Sequence, residues 1–153
     1  MNYQQNGTLN NIDIEDIARK LHIKLNAICH KNQLKNTTYK DGGYIINLEN
    51  STGNGTHWVC LYIDNNETYY YDSFGKIYPN EVLQFSRDKY ITYNSNHIQN
   101  INDTYCGFYC LAFLYYMQNN NHIRDKLETF NNMFDDNPLH SLKYLQRYYK
   151  TIK

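Results

Sequence analysis

Apolar residues along this chain alternate between a helical and a strand period, and the changes of period divide it into elements. In N-I-D-I-E-D-I-A-R-K-L, Ile14, Ile17, Ala18 and Leu21 recur at helical spacing behind Asn11 or Asp13 as N-cap, which predicts a short amphipathic helix. The polar stretch from Asn26 to Lys40 reads as a connection. The turn Asp41-Gly42-Gly43 then leads into Tyr44 to Leu48 (Y-I-I-N-L), a β-branched strand candidate. Asn50 to Thr56 is a second turn region before a strong strand, H-W-V-C-L-Y-I, from His57 to Ile63. Asp64-Asn65-Asn66-Glu67 makes a hairpin turn, and Thr68 to Asp72 runs back beside that strand. After a turn from Ser73 to Pro79, a short helix around Glu81 to Ser86 and a last strand from Tyr90 to Tyr93 are predicted.

The most distinctive segment follows, D-T-Y-C-G-F-Y-C-L-A-F-L-Y-Y-M from Asp103 to Met117. Asp103 and Thr104 are N-cap types, and the run after them is apolar and aromatic on every side, so Cys106 to Met117 is predicted as a buried central helix. Gly107 lets the backbone come close to a neighbour. A helix begun by Pro138, with Leu139, Leu142 and Leu145 as its apolar stripe, closes the chain after an Asn119-Asn120-Asn121 linker. Consecutive strands in the middle and helices at both ends make this an α+β layout.

Composition narrows the function classes. The 153 residues amount to one domain by size. Lysine plus arginine and aspartate plus glutamate number 15 each, which leaves no positive surplus for coating nucleic acid. No apolar run approaches a membrane span. The four cysteines, Cys29, Cys60, Cys106 and Cys110, do not form a disulfide framework, and no basic-then-apolar leader opens the chain, so an intracellular setting with free thiols is expected.

In that setting Cys106 stands out. A free cysteine in the first turn of a helix faces the positive end of the helix dipole, which favours thiolate over thiol. His57 opens a strand after a Gly-rich loop, and Asp72 ends the returning strand. A turn at Asn65 and Asn66 places the two almost opposite each other, within side-chain reach. Such a carboxylate holds an imidazole in one tautomer and stabilises its charged form; the same pair could also merely staple the hairpin. Gln99, seven residues before Cys106, lies in a loop that must return alongside the helix start. There its amide could donate to a developing oxyanion together with the Cys106 N–H, a donor of the kind whose removal costs ~3 kcal/mol. Alternatively it is a surface glutamine.

Other chemistries fit less well. His57-x-x-Cys60 and Cys106-x-x-x-Cys110 have zinc-like spacings, but residues three apart on a strand point to opposite faces, and Cys110 reads as a small buried apolar residue. His97 competes as base without a carboxylate placed behind it, while His22, His30, His122 and His140 sit in polar or helical settings. Asp64 and Glu67 lie at the far end of the hairpin.

The order G-T-H-W-V-C-L-Y-I, Y-Y-Y-D-S-F-G, I-Q-N-I-N-D-T-Y-C-G-F-Y-C-L-A-F-L resembles the adenovirus-type (adenain-like) maturation cysteine proteases, in the forms of virophages and polinton-like elements. The likeness runs from about Tyr44 to Met117. It implies a permuted papain-like α+β fold, a central mainly antiparallel sheet packed against the cysteine-bearing helix. It further implies His57 as general base, Cys106 as nucleophile, Asp72 as orienting acid and Gln99 as oxyanion donor. Asp72 is similar to the aspartate of ubiquitin-like-protein proteases, where adenovirus enzymes carry glutamate. Trp58 would narrow the groove beside the scissile bond and favour Gly-containing cleavage sites; otherwise it is a core aromatic.

The resemblance implies a monomeric cysteine endopeptidase acting on viral capsid precursors in the virion and host cytoplasm, with no cofactor. Removal of ubiquitin-like tags and a non-catalytic Tyr-rich binding module are the alternatives. A peptide or DNA activator is carried over only weakly. Neither Cys29 nor Cys60 matches a peptide-holding cysteine, and the stripe His140, Lys143, Arg147, Lys150 and Lys153 reads as a solvated face at zero net charge.

Overall fold

The computed structural model describes residues 8–49, 57–87, 90–99, 104–134 and 137–152, with the backbone alone at 138 and 139. The first helix, α1 (Asn11–Lys20), is capped by Asn10, which precedes both expected caps, Asn11 and Asp13. Asn10 Oδ1 accepts from the Asp13 N–H at 2.9 Å, and the Asp13 carboxylate accepts from the Asn10 N–H at 3.1 Å, so the two side chains satisfy each other's backbone donors. Next comes β1 (Leu25–His30), inside the stretch expected to be a connection. Its residues are all half-buried at a sheet edge, and L-N-A-I-C-H has no alternation to betray it. The strand is held by parallel pairing to a distant segment, which local sequence does not record.

The sheet continues through β2 (Gly42–Asn47), β3 (Trp58–Asp64), β4 (Glu67–Tyr71) and β5 (Thr92–Tyr93), in spatial order β1-β2-β3-β4-β5. The central pairs, β2/β3 and β3/β4, are antiparallel as expected, and both edge strands join in parallel. A 3-10 turn at Lys31–Asn36 and the helix α2 (Asn80–Phe85) lie in the two parallel crossovers. The β3/β4 hairpin turns at Asn65 and Asn66, with φ of 50° and 67°. Two successive left-handed residues are the type I′ signature, whose twist matches that of the strands. The expected strand at Tyr90 to Tyr93 keeps only its last two residues, and the turn expected at Asn50 to Thr56 lies outside the described residues.

Both faces of the sheet are covered. Val59, Leu61 and Ile63 of β3 point to a small core with Tyr44, Ile46, Tyr70, Val82 and Leu34. Cys60 and Tyr62 point the other way, to the large core built on α3 (Cys106–Asn119). Eleven of the fourteen residues of α3 are buried, as an all-round apolar helix requires. The helices α1, α4 (Lys126–Asn131) and α5 (Pro138–Thr151) pack around it. The Phe113 ring stacks on Tyr71 of β4 at 4.6 Å between centroids, and Tyr149 of α5 donates its hydroxyl to the Phe108 carbonyl. Among the described residues no helix is long and apolar enough to cross a membrane.

Because α3 is fixed to the sheet through this aromatic stack, Phe113→Ala should lower unfolding stability by ~3–5 kcal/mol in urea titrations. A loss below ~1 kcal/mol would mean that the site closes over the missing ring.

Candidate active site

Three of the candidates meet where β3, β4 and α3 begin or end. His57 immediately precedes β3, Asp72 immediately follows β4, and Cys106 is the first residue of α3. The ladder pairs Asp64 with Glu67 and ends at Cys60 with Tyr71, so Asp72 comes level with Val59 and not with His57. The expectation that His57 and Asp72 lie almost opposite is therefore corrected by two residues, because the tight turn sets the register. The carboxylate reaches the imidazole diagonally instead, with His57 Nε2 to Asp72 Oδ1 at 2.7 Å.

Asp72 is held from several sides. Oδ1 also accepts from the Phe74 N–H at 2.9 Å. The Asn94 side chain accepts from the Asp72 N–H at 3.0 Å and donates to its carbonyl at 2.7 Å, and the Gly75 N–H donates to the same carbonyl at 2.7 Å. The Phe74 ring stacks on His57 at 4.4 Å and 17°, which fixes the plane of the imidazole. Ser73 and Phe74 stand in the Y-Y-Y-D-S-F-G motif with no role read for them, and Asn94 is not among the candidates. The F-G after Asp72 and the Asn-rich loop look like ordinary turn residues, and only pairing across the fold sets them apart.

The charges follow from this geometry. Asp72 is 1% exposed and Cys106 is buried, while the side chain of His57 is 13% exposed, so the carboxylate is the group most withdrawn from solvent. Burial pulls the imidazole toward its neutral form. Hydrogen bonds to Asp72 and to Cys106 outweigh that, and the His57 pKa is raised to about 9. With Nε2 taken by Asp72, Nδ1 is the nitrogen left for Cys106. The Trp58 backbone N–H points to the Cys106 sulfur at 3.4 Å. At the helix start Tyr105 occupies the N-cap without a side-chain cap bond, so Thr104 is not the cap; Asp103 lies outside the described residues.

Trp58 is half-buried against the large core, and its indole Nε1–H donates to the Leu9 carbonyl at 3.0 Å. It also lines a cavity of about 580 Å³ with Leu9, Ile28, His30, Gln33 and Asn47. Gly107 lets these parts close up, since a Cβ there would stand 3.2 Å from Leu9 Cδ1 and 3.5 Å from Trp58 Cδ1. Gln99 is buried, not on the surface, and its Oε1 accepts from the Ser73 hydroxyl. The structure thus places it beside the residue that follows Asp72. The segment 100–103, between Gln99 and the helix, lies outside the described residues.

The rival groups are placed elsewhere. His97 is exposed and meets the edge of Phe74 at 5.3 Å, on a ring that itself stacks on His57. Asp64 pairs with Lys126 at 3.4 Å, and Glu67 accepts from the Tyr69 hydroxyl at 2.7 Å. All four thiols are free; Cys60 and Cys110 are buried between β3 and α3, where the Cys60 sulfur lies 3.8 Å from the Cys110 carbonyl. Among the described residues no group of His, Cys, Asp and Glu is assembled as for a metal ion.

The expected α+β fold is thus present, a five-stranded mixed sheet packed against a buried helix that carries a cysteine in its first turn. Among solved structures the chain is similar to the ASFV pS273R protease, with a TM-score of 0.60 and 15% identity over 92% of this chain and 68% of that one. No protein-family model and no curated protein matches the sequence.

The raised His57 value has a consequence for stability. Since the folded-state pKa lies above the usual 6.5, the protonated ring contributes fully below about pH 6.5 and its contribution is lost as pH rises through about 9. Urea stability should therefore fall across that window, and His57→Gln should flatten the decline. An equal slope in both proteins would show that His57 is not the titrating group.

Proposed function

We propose that the chain is a cysteine endopeptidase that processes viral capsid or other precursor proteins at Gly-containing sites during virion maturation. The observation that carries this reading is the His57–Asp72 contact at 2.7 Å, beside the sulfur that opens α3 and that the N–H of the next residue, Trp58, approaches at 3.4 Å. The solved neighbour is a viral protease, and the order of motifs along the chain is that of the adenovirus-type enzymes.

The chemistry runs through four residues. His57 donates Nε2–H to Asp72 and holds the Cys106 proton on Nδ1, so that with its pKa raised to about 9 the pair rests as thiolate beside imidazolium at neutral pH. The sulfur attacks the peptide carbonyl. The resulting oxyanion is met by the Gln99 NH2 group and the Cys106 N–H, where helix N–H groups have no intrahelical acceptor. Imidazolium gives its proton to the leaving amine, and water, deprotonated by His57, hydrolyses the thioester. Trp58 narrows the groove beside the scissile bond, which admits glycine more readily than larger residues. The enzyme works as a monomer in virion and host cytoplasm, without a cofactor and with at most weak nucleic-acid binding. Asp72, the residue type of ubiquitin-like-protein proteases, supports tag removal as a second reading.

Cys106 should react with iodoacetamide rapidly and selectively at neutral pH, because burial pushes the Cys29 thiol up to about 11 and the Cys110 thiol upward as well. The selectivity should vanish in His57→Ala. Uniform labelling of all four thiols would sink the activated site.

Co-expression with candidate capsid precursors, wild type against Cys106→Ala, should give fragments ending at Gly-containing sites only with the wild type, as read by mass spectrometry. Cleavage of ubiquitin-like-tag reporters but not of those precursors would reverse the choice of substrate.

A further inference from the structure

The turn after β4 and the loop before α3 are joined through one residue, Ser73. Its carbonyl accepts the N–H groups of Ile98 at 2.9 Å and Gln99 at 3.1 Å, and its hydroxyl donates to Gln99 Oε1. Ser73 and Gln99 are 2% and 1% exposed, so water does not compete for these bonds. The two segments touch directly at Gly75, where φ is +72° and a Cβ would come 2.7 Å from the Asn96 carbonyl carbon and oxygen. The turn that supplies the carboxylate therefore also anchors the glutamine.

A side-chain amide has two ends of nearly equal shape and opposite polarity, and only the NH2 end stabilises an oxyanion. A glutamine that flips presents its carbonyl oxygen to the developing charge and repels it. With Oε1 bound to Ser73, the NH2 is committed to the other side of the amide. A flip would set NH2 against Ser73 and leave the hydroxyl proton without this acceptor, a costly loss in a buried site. We propose that Ser73 is a positioning residue, whose hydroxyl fixes the amide of Gln99 so that its donor end is kept for the oxyanion. This rests on the role assigned to Gln99 above.

The test combines a spectroscopic and a kinetic readout on the full chain. In 15N-labelled protein the Gln99 side-chain NH2 pair, identified by its loss in Gln99→Ala, should shift in Ser73→Ala and stay near its original position in Ser73→Thr. With a Gly-containing peptide that the wild type cuts, Ser73→Ala should lower kcat ~10-fold with KM within ~2-fold, as for a donor misaligned in the transition state. The pair Ser73→Ala/Gln99→Ala should be no slower than Gln99→Ala alone. Iodoacetamide alkylation of Cys106, which forms no oxyanion, should keep its wild-type rate in Ser73→Ala.

An NH2 pair unmoved by Ser73→Ala overturns the proposal, as do rate losses that multiply in the double variant. Alkylation slowed as much as turnover would also overturn it, by moving the effect of Ser73 to the thiol and imidazole. Full kcat in Gln99→Ala would remove the oxyanion role itself, whereas full kcat in Ser73→Ala beside a slow Gln99→Ala removes the clamp alone.

Discussion

A carboxylate shut away from water organises this end of the molecule. Asp72 is almost fully covered, and a buried charge is tolerated only with compensation from close, well-directed donors. The compensation comes from the His57 ring and the Phe74 N–H on one oxygen. Each of these donors depends on a different piece of chain: the strand that brings in His57, and the turn that folds Phe74 back over the ring. Asn94, reaching from the β5 loop, secures the backbone on both sides of the carboxylate. The charge state of the imidazole, its plane and its place beside Cys106 all follow from that requirement.

The second half of the arrangement is α3. Its apolar surface leaves no face that can turn to solvent, so the helix has one seat, across the sheet and under the ring of Tyr71. A helix with one seat places its first residue in one position. Glycine after the cysteine then lets Leu9 and Trp58 close against the helix start. The geometry around the thiol is thus set by packing at a distance, while the geometry around the imidazole is set by hydrogen bonds nearby.

These two origins explain what could be read from the residues. The helix around Cys106 and the β3/β4 hairpin are written in long apolar runs and in an Asn-Asn turn, signals that survive without tertiary context. His57, Asp72 and Cys106 come together as that pattern suggested, although Asp72 stands level with Val59 and reaches His57 diagonally. Edge strand β1 was hidden because its six residues are all half-buried and its partner lies beyond a crossover. Ser73 and Asn94 were hidden for a different reason. Their side chains are common turn residues, and what separates them from the many other Asn and Ser positions is a partner more than twenty residues away.

The bond from the Trp58 indole to the Leu9 carbonyl joins two segments that are both made before the helix they pack against. On the ribosome, Leu9 and the hairpin flanked by His57 and Asp72 leave the exit before Cys106 does. A hairpin alone has no stable seat for them, since the large core is built on α3. The helix that carries Cys106 therefore arrives after the sheet it seats on, and α4 and α5 follow to cover it. The sulfur and the nucleus of the large core enter the molecule together, on one helix.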